Sequence, residues 1–261
     1  METDTEDLLV DVEDGVAVLT MNRPERRNAL SVAMLGALGR LIPQVAADPD
    51  VRCVVLTGAG GAFCAGGDVK GFAAGAGLDG TFDDRVRAQQ RAHRAVALAL
   101  HDLPKPTVAI LPGAAAGAGL SLALACDLRY AADTAVLTTA FGKVGLPGDF
   151  GGAWFLTRLV GTAKARELFY FSPRLDAAEA LHLGLLTAVF PADELAKAAY
   201  GRARELAAGP ATALGYMKDN LNRAEVAGLA EYLDGEAIHQ IRCRDTDEHH
   251  EAVRAFVERR R

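Results

Sequence analysis

The chain has 261 residues, 50% of them hydrophobic and 24% charged, with a formal net charge of −6, enough to bury the core of one large domain or two small ones. The acidic balance leaves no basic footprint for nucleic acid, and the ending ERRR is too short to serve as one. No apolar run reaches the ~18 residues of a membrane span, and the acidic start METDTEDLL is unlike a signal or transit peptide, so the sequence predicts a soluble, cytoplasmic protein with no membrane partner.

Residues 8 to 21 read as two short strands around the turn pair Asp14-Gly15. Ser31 then caps a helix whose apolar positions Met34, Leu35, Leu38, Leu41 and Ile42 recur at helical spacing, with Pro43 bending or ending it. The buried-strand pattern VRCVVL follows, and directly after it TGAGGAFCAGGD, Thr57 to Asp68, places five glycines in twelve residues. Such a cluster after a strand marks either a surface turn or a backbone that approaches something closely. Residues 71 to 84 read as a mobile loop, and FDDRVRAQQRAHRAVALALHDLP as an amphipathic helix closed by Pro104. A second unit repeats the plan: the strand TVAIL, the small-residue loop PGAAAGAG and the short apolar helix LSLALACD. From residue 160 the chain is mostly helical, with caps expected at Thr162, Asp176 and Thr246. Cys53, Cys64, Cys126 and Cys243 are widely spaced without ligand-spaced histidines, so buried thiols are expected rather than a metal site or disulfides.

Three chemistries use small-residue loops of this kind. GAGLDG, Gly75 to Gly80, matches the dinucleotide pattern G-x-G-x-x-G but does not follow a strand. GLSLA around Ser121 is one residue from a hydrolase nucleophile elbow, with Asp149 and His182 following in chain order, but PGAAAGAG stands between the strand and the serine. The third is a backbone oxyanion hole, in which N–H groups of two loops converge on a carbonyl oxygen that gains charge, and any larger side chain would hold that carbonyl away.

NRPERRNALS, GAGGAFCAGGDVK, AAGAGLSLALACDLRYAAD, GLPGDFGGAWFLTRLVG and DAAEALHLGLLTAVFP, in that order from about residue 8 to 200, resemble the successive signatures of the enoyl-CoA hydratase/isomerase (crotonase) family. The resemblance implies an α/β fold, a spiral of ββα units over residues 1–200 followed by a helical trimerisation region over 201–261. It also implies a homotrimer or a dimer of trimers acting on an acyl-CoA. Coenzyme A would arrive as part of the thioester, with no permanently bound cofactor and no metal. By position, the oxyanion donors would be the N–H groups of Gly67 and Ala118, and coenzyme A contacts would fall at Arg26, Arg27, Ala29, Ala65, Asp68 and Val69.

The chain departs from the hydratase pattern where that pattern is decisive. The resemblance implies two catalytic glutamates, yet their positions hold Ser121 and Phe141, and no glutamate occurs between Glu25 and Glu167. Asp149, in GLPGDFGG, stands where isomerases of the family, including epoxyphenylacetyl-CoA isomerases, and 4-chlorobenzoyl-CoA dehalogenases carry a catalytic aspartate. Its competing role is to cap the helix GAWFLTRLV. Asp127 and Asp133 read as structural, and Asp68 as a residue of loop geometry and cofactor contact. The expected activity is proton transfer by Asp149 on a thioester enolate, hence isomerisation. Hydration through the single aspartate and a catalytically silent acyl-CoA-binding protein are the alternatives.

Overall fold

The computed structural model describes residues 1–68, 71 and 79–258. Strands β1 (Leu8–Glu13) and β2 (Val16–Met21) form the expected hairpin, with Asp14 and Gly15 both at positive φ, 51° and 76°, as a two-residue turn between twisted strands requires. Helix α1 (Val32–Ala47) starts at the Ser31 cap, whose hydroxyl accepts from Met34 N–H at 3.0 Å. Pro43 does not end it. Leu41, Ile42 and Val45 are buried on either side of the proline, and their packing outweighs the one helical hydrogen bond that proline lacks.

The middle of the chain is a strand–strand–helix unit used three times. The units are β3 (Cys53–Gly58), β4 (Ala62–Cys64) and α2 (Phe82–His93); β5 (Thr107–Leu111), β6 (Ala114–Ala116) and α3 (Ala118–Leu124); and β7 (Leu128–Ala132), β8 (Val136–Thr138) and α4 (Gly152–Phe171). The first strand of each unit joins one sheet, ordered β1-β2-β3-β5-β7-β10, and the second joins another, ordered β4-β6-β8-β9, where β9 is Leu175–Asp176 and β10 is Ala188–Phe190. Within each sheet the successive units pair in parallel, so the chain winds as a spiral of ββα turns, the crotonase-like α/β architecture.

Helix α2 begins at Phe82, where the helical string FDDRV begins, and the stretch read as loop stops short of 84 because Thr81 and Asp84 close a capping box. It passes through a π turn, Arg94–Leu98, to a last turn at Ala99–His101. Helix α3 begins at Ala118, two residues before the apolar run that suggested it. Helix α4 kinks at Gly161 (φ 76°), and the Thr162 side chain, expected to cap a helix there, makes no capping bond among the described residues.

A parallel sheet must be covered on both faces. One face of the larger sheet packs on α1 and the spiral core. The other, through Val16, Cys53, Val55, Val108 and Ile110, packs on Leu195, Ala199, Ala203 and Ala207 of α6 (Leu195–Ala207), which follows α5 (Ala177–His182). Residue 200, the division drawn from the sequence, therefore falls within a helix packed on the sheet. The last three helices are α7 (Ala211–Ala224), α8 (Leu229–Arg244) and α9 (Asp247–Glu258). Helix α7 is fastened to the core by buried Lys218, which pairs with Asp127 at 2.9 Å and donates to Leu100 O at 3.0 Å. Among the described residues no helix is long and apolar enough to cross a membrane. Cys53, Cys64 and Cys126 are buried, and burial pushes each thiol up to about 12.

Candidate active site

The glycine-rich stretch after β3 is a close-approach structure. A Cβ on Gly66 (φ 95°) would stand 2.8 Å from Ala116 O and 3.4 Å from Ala118 N, and one on Gly119 would stand 2.5 Å from Cys64 O. The loop after β4 thus lies backbone to backbone against the loop between β6 and α3. No side chain fits between them. Ala118 is the first residue of α3, so its N–H has no intrahelical partner.

A third loop locks onto the same place. Arg27 O accepts from Ala65 N–H at 2.9 Å, Leu30 N–H donates to Gly66 O at 2.8 Å, and Leu30 bridges to Gly67. This loop owes its shape to Asn28, which has φ 57° and is fully buried. Its side-chain amide donates to Ala59 O and Ala62 O at 2.8 and 2.9 Å, and its oxygen accepts from Arg23 N–H at 2.9 Å. Arg23 reaches on to Ala29 O at 2.8 Å and to Asp68 at 3.2 Å. Asp68 also accepts from Gly71 N–H at 3.0 Å, and that bond, then Arg23, holds its carboxyl below the usual aspartate range. Arg26, Arg27, Ala29, Ala65, Gly67, Asp68 and Ala118 are therefore brought together along three joined loops; Val69 lies outside the described residues, as do residues 75 to 78 of GAGLDG. Asn28 and Arg23, which build the corner, were not singled out from the sequence. Asn28 sits within NRPERRNALS, and an asparagine beside a turn is its only sequence signal.

Asp149 lies in a turn of unusual backbone, with positive φ at Gly148, Phe150 and Gly151 of 133°, 46° and 76°. Left-handed φ at a phenylalanine costs of order 1 kcal/mol or more and persists only where the surroundings impose it. Phe150 is buried, with its ring edge-on to His93 at 4.9 Å between centroids. Asp149 does not cap α4: Gly151 is the N-cap residue and no side chain caps that end. Its Oδ1 instead accepts from Gln89 Nε2 at 2.8 Å and Phe150 N–H at 3.0 Å and pairs with His93 Nε2. Oδ2 has no partner among the described residues, and the side chain is about a quarter exposed. Gln89 also lines a groove of about 1060 Å³ between α1 and α2, beside Val32, Leu35, Gly36, Val86 and Ala92. His93 and Gln89 had no sequence signal of their own beyond a shared helix face.

The turn carrying Asp149 sits on α3. Gly152 N–H donates to Asp149 O at 3.1 Å, and a Cβ on Gly152 would stand 2.3 Å from Ser121 Oγ. Ser121 is buried, and its hydroxyl donates to Gly117 O at 3.3 Å. It is no nucleophile, and His182 is exposed at the end of α5, so the hydrolase reading finds no support. Phe141 is also buried, stacked on Phe169 at 5.8 Å, with its ring 3.8 Å from a Cβ built on Gly117. The two positions that lack glutamate are thus a satisfied hydroxyl and an apolar wall, both against the Gly117–Ala118 corner. Among the described residues no group of three or more His, Cys, Asp and Glu could hold a metal ion.

The comparisons with known proteins agree with this architecture. A family model described as enoyl-CoA hydratase/isomerase matches residues 11–261. The chain belongs to the enoyl-CoA hydratase/isomerase family. It is 38% identical over 253 residues to the 1,2-epoxyphenylacetyl-CoA isomerase of Escherichia coli strain K12, covering 97% of this chain and 96% of the relative. Among solved structures, an enoyl-CoA hydratase from Polaromonas sp. JS666 superposes with a TM-score of 0.90 at 33% identity, covering 97% of each chain. An enoyl-CoA hydratase from Mycobacterium smegmatis superposes with a TM-score of 0.89 at 32% identity, covering 98% of this chain and 97% of that one. The protein is an enzyme of the crotonase family.

Proposed function

We propose that this family member isomerises an enoyl-CoA or aryl-epoxide-CoA thioester, with Asp149 as the single proton carrier. The observation that carries the reading is the Asp149 carboxylate, tethered through Oδ1, with Oδ2 unpartnered among the described residues, in a turn packed on α3. On a 3-enoyl thioester, Oδ2 takes a proton from C2 and the electron pair moves onto the thioester oxygen as a dienolate. The N–H groups of Gly67 and Ala118 receive that charge; removing one such donor typically costs about 3 kcal/mol of transition-state stabilisation. The same proton returned to C4 gives the 2-enoyl product, with no atom gained or lost. Coenzyme A enters with the substrate and is met at Arg26, Arg27, Ala29, Ala65, Asp68 and Val69.

Hydration needs a second group to hold and activate a water molecule. Ser121 is committed to Gly117 O and Phe141 is apolar, so neither of the two positions that hold glutamate in the hydratase pattern offers such a group, and proton return to carbon is favoured. The name of the Escherichia coli relative, an isomerase, agrees. We further propose a homotrimer, as such or paired into a hexamer, built through the helices beyond Pro210, where α7 begins. The test is turnover on 2-enoyl-, 3-enoyl- and aryl-epoxide-CoA thioesters, followed by mass spectrometry. Isomerisation predicts products of unchanged mass; a gain of 18 Da from the 2-enoyl thioester alone would replace it with hydration.

A further inference from the structure

We propose that His93 is the positioning residue that assigns the two oxygens of Asp149 to different tasks, an inference that rests on the reading of Asp149 as the proton carrier. The terminal torsion of an aspartate is soft and nearly two-fold, so by itself the carboxylate presents either oxygen to a substrate. Here three donors, Gln89 Nε2, His93 Nε2 and Phe150 N–H, gather on Oδ1 alone. A carboxylate oxygen only accepts, so His93 meets Oδ1 as a donor through Nε2–H. The two side-chain donors stand one helical turn apart on α2 and, converging on one oxygen, lie 3.0 Å from each other. Turning the carboxylate plane would break all three bonds, so they hold the plane and leave Oδ2 as the oxygen without a partner. His93 also supports the turn itself, for its ring packs on buried Phe150, whose left-handed backbone needs outside support. The donor and the packing contact are separable roles.

Two variants divide them. His93→Leu keeps bulk against Phe150 and removes the donor, whereas His93→Gln places an Nε2 donor at a similar reach from the backbone. His93 is only half-buried, so both substitutions leave the core intact. If His93 orients Asp149, kcat on the substrate found by the thioester screen falls about 10- to 100-fold in His93→Leu while KM stays within about 2-fold, and His93→Gln retains kcat within about 5-fold. A His93→Leu enzyme with wild-type kcat, or a His93→Gln enzyme as impaired as His93→Leu, overturns the inference. Asp149→Asn distinguishes the two levels. If it abolishes turnover while His93→Leu is unaffected, only the role of His93 fails; if Asp149→Asn is fully active, the reading of Asp149 itself fails.

Discussion

At Gly66 two loops touch backbone to backbone, and one methyl group is enough to part them. The listener to that contact is the carbonyl of Ala116, which cannot rotate away as a flexible side chain would. Together with the positive φ of 95°, Gly66→Ala is expected to cost about 1–3 kcal/mol of stability, read by denaturant unfolding. It should lower turnover further by moving the Ala118 N–H. An unchanged midpoint would show that the loops have room to spare. The glycine cluster could be read from the sequence as close approach or surface turn, and only the Ala116–Ala118 backbone opposite it decides between them. The turn at Asp149 was likewise legible, because glycines stand on either side of it in the chain, whereas the aspartate itself was singled out by resemblance. Its partners were not: Gln89 and His93 lie 60 and 56 residues away, and an amphipathic helix pattern does not say what its polar face will meet.

Among the elements, the long strands and capped helices were plain in the sequence. Ser31, Asp176 and Thr246 each accept from a backbone N–H three residues on. The second sheet was harder to foresee, since β4, β6 and β8 have three residues apiece and no period to read. The tail is held by a contact that spacing does not reveal. Glu248, at the start of α9, accepts from Ala211 and Thr212 N–H at 3.2 and 3.1 Å and pairs with Arg52 at 2.9 Å. Partial burial raises the Glu248 carboxyl, but the two backbone donors and Arg52 outweigh it and hold the group below the usual glutamate range. A carboxyl lowered in the folded state stabilises above its unfolded pKa, and that contribution is lost as pH falls through the folded one. The wild type should therefore lose more Tm between pH 7 and pH 4 than Glu248→Gln does. Equal losses would show that the Glu248 carboxylate does not hold the tail.

For the whole molecule, the helical tail carries more exposed apolar surface than a lone subunit needs. Met217, Leu221, Leu229, Leu233 and Ile238 are 49–73% exposed, and they are expected to face another subunit. Assembly into trimers predicts a scattering mass of three or six times 27.4 kDa at micromolar concentration; a monomer would contradict it. The spiral, the two loops and the turn of Asp149 serve one claim, that a single aspartate moves the proton. Asp149→Asn keeps the size of the side chain and the bond from Phe150 N–H, and it tests that claim most directly. The expected result is a folded enzyme that binds acyl-CoA as the wild type does, with turnover lowered about 100- to 10,000-fold. Wild-type turnover by Asp149→Asn on every thioester the wild type converts would contradict it.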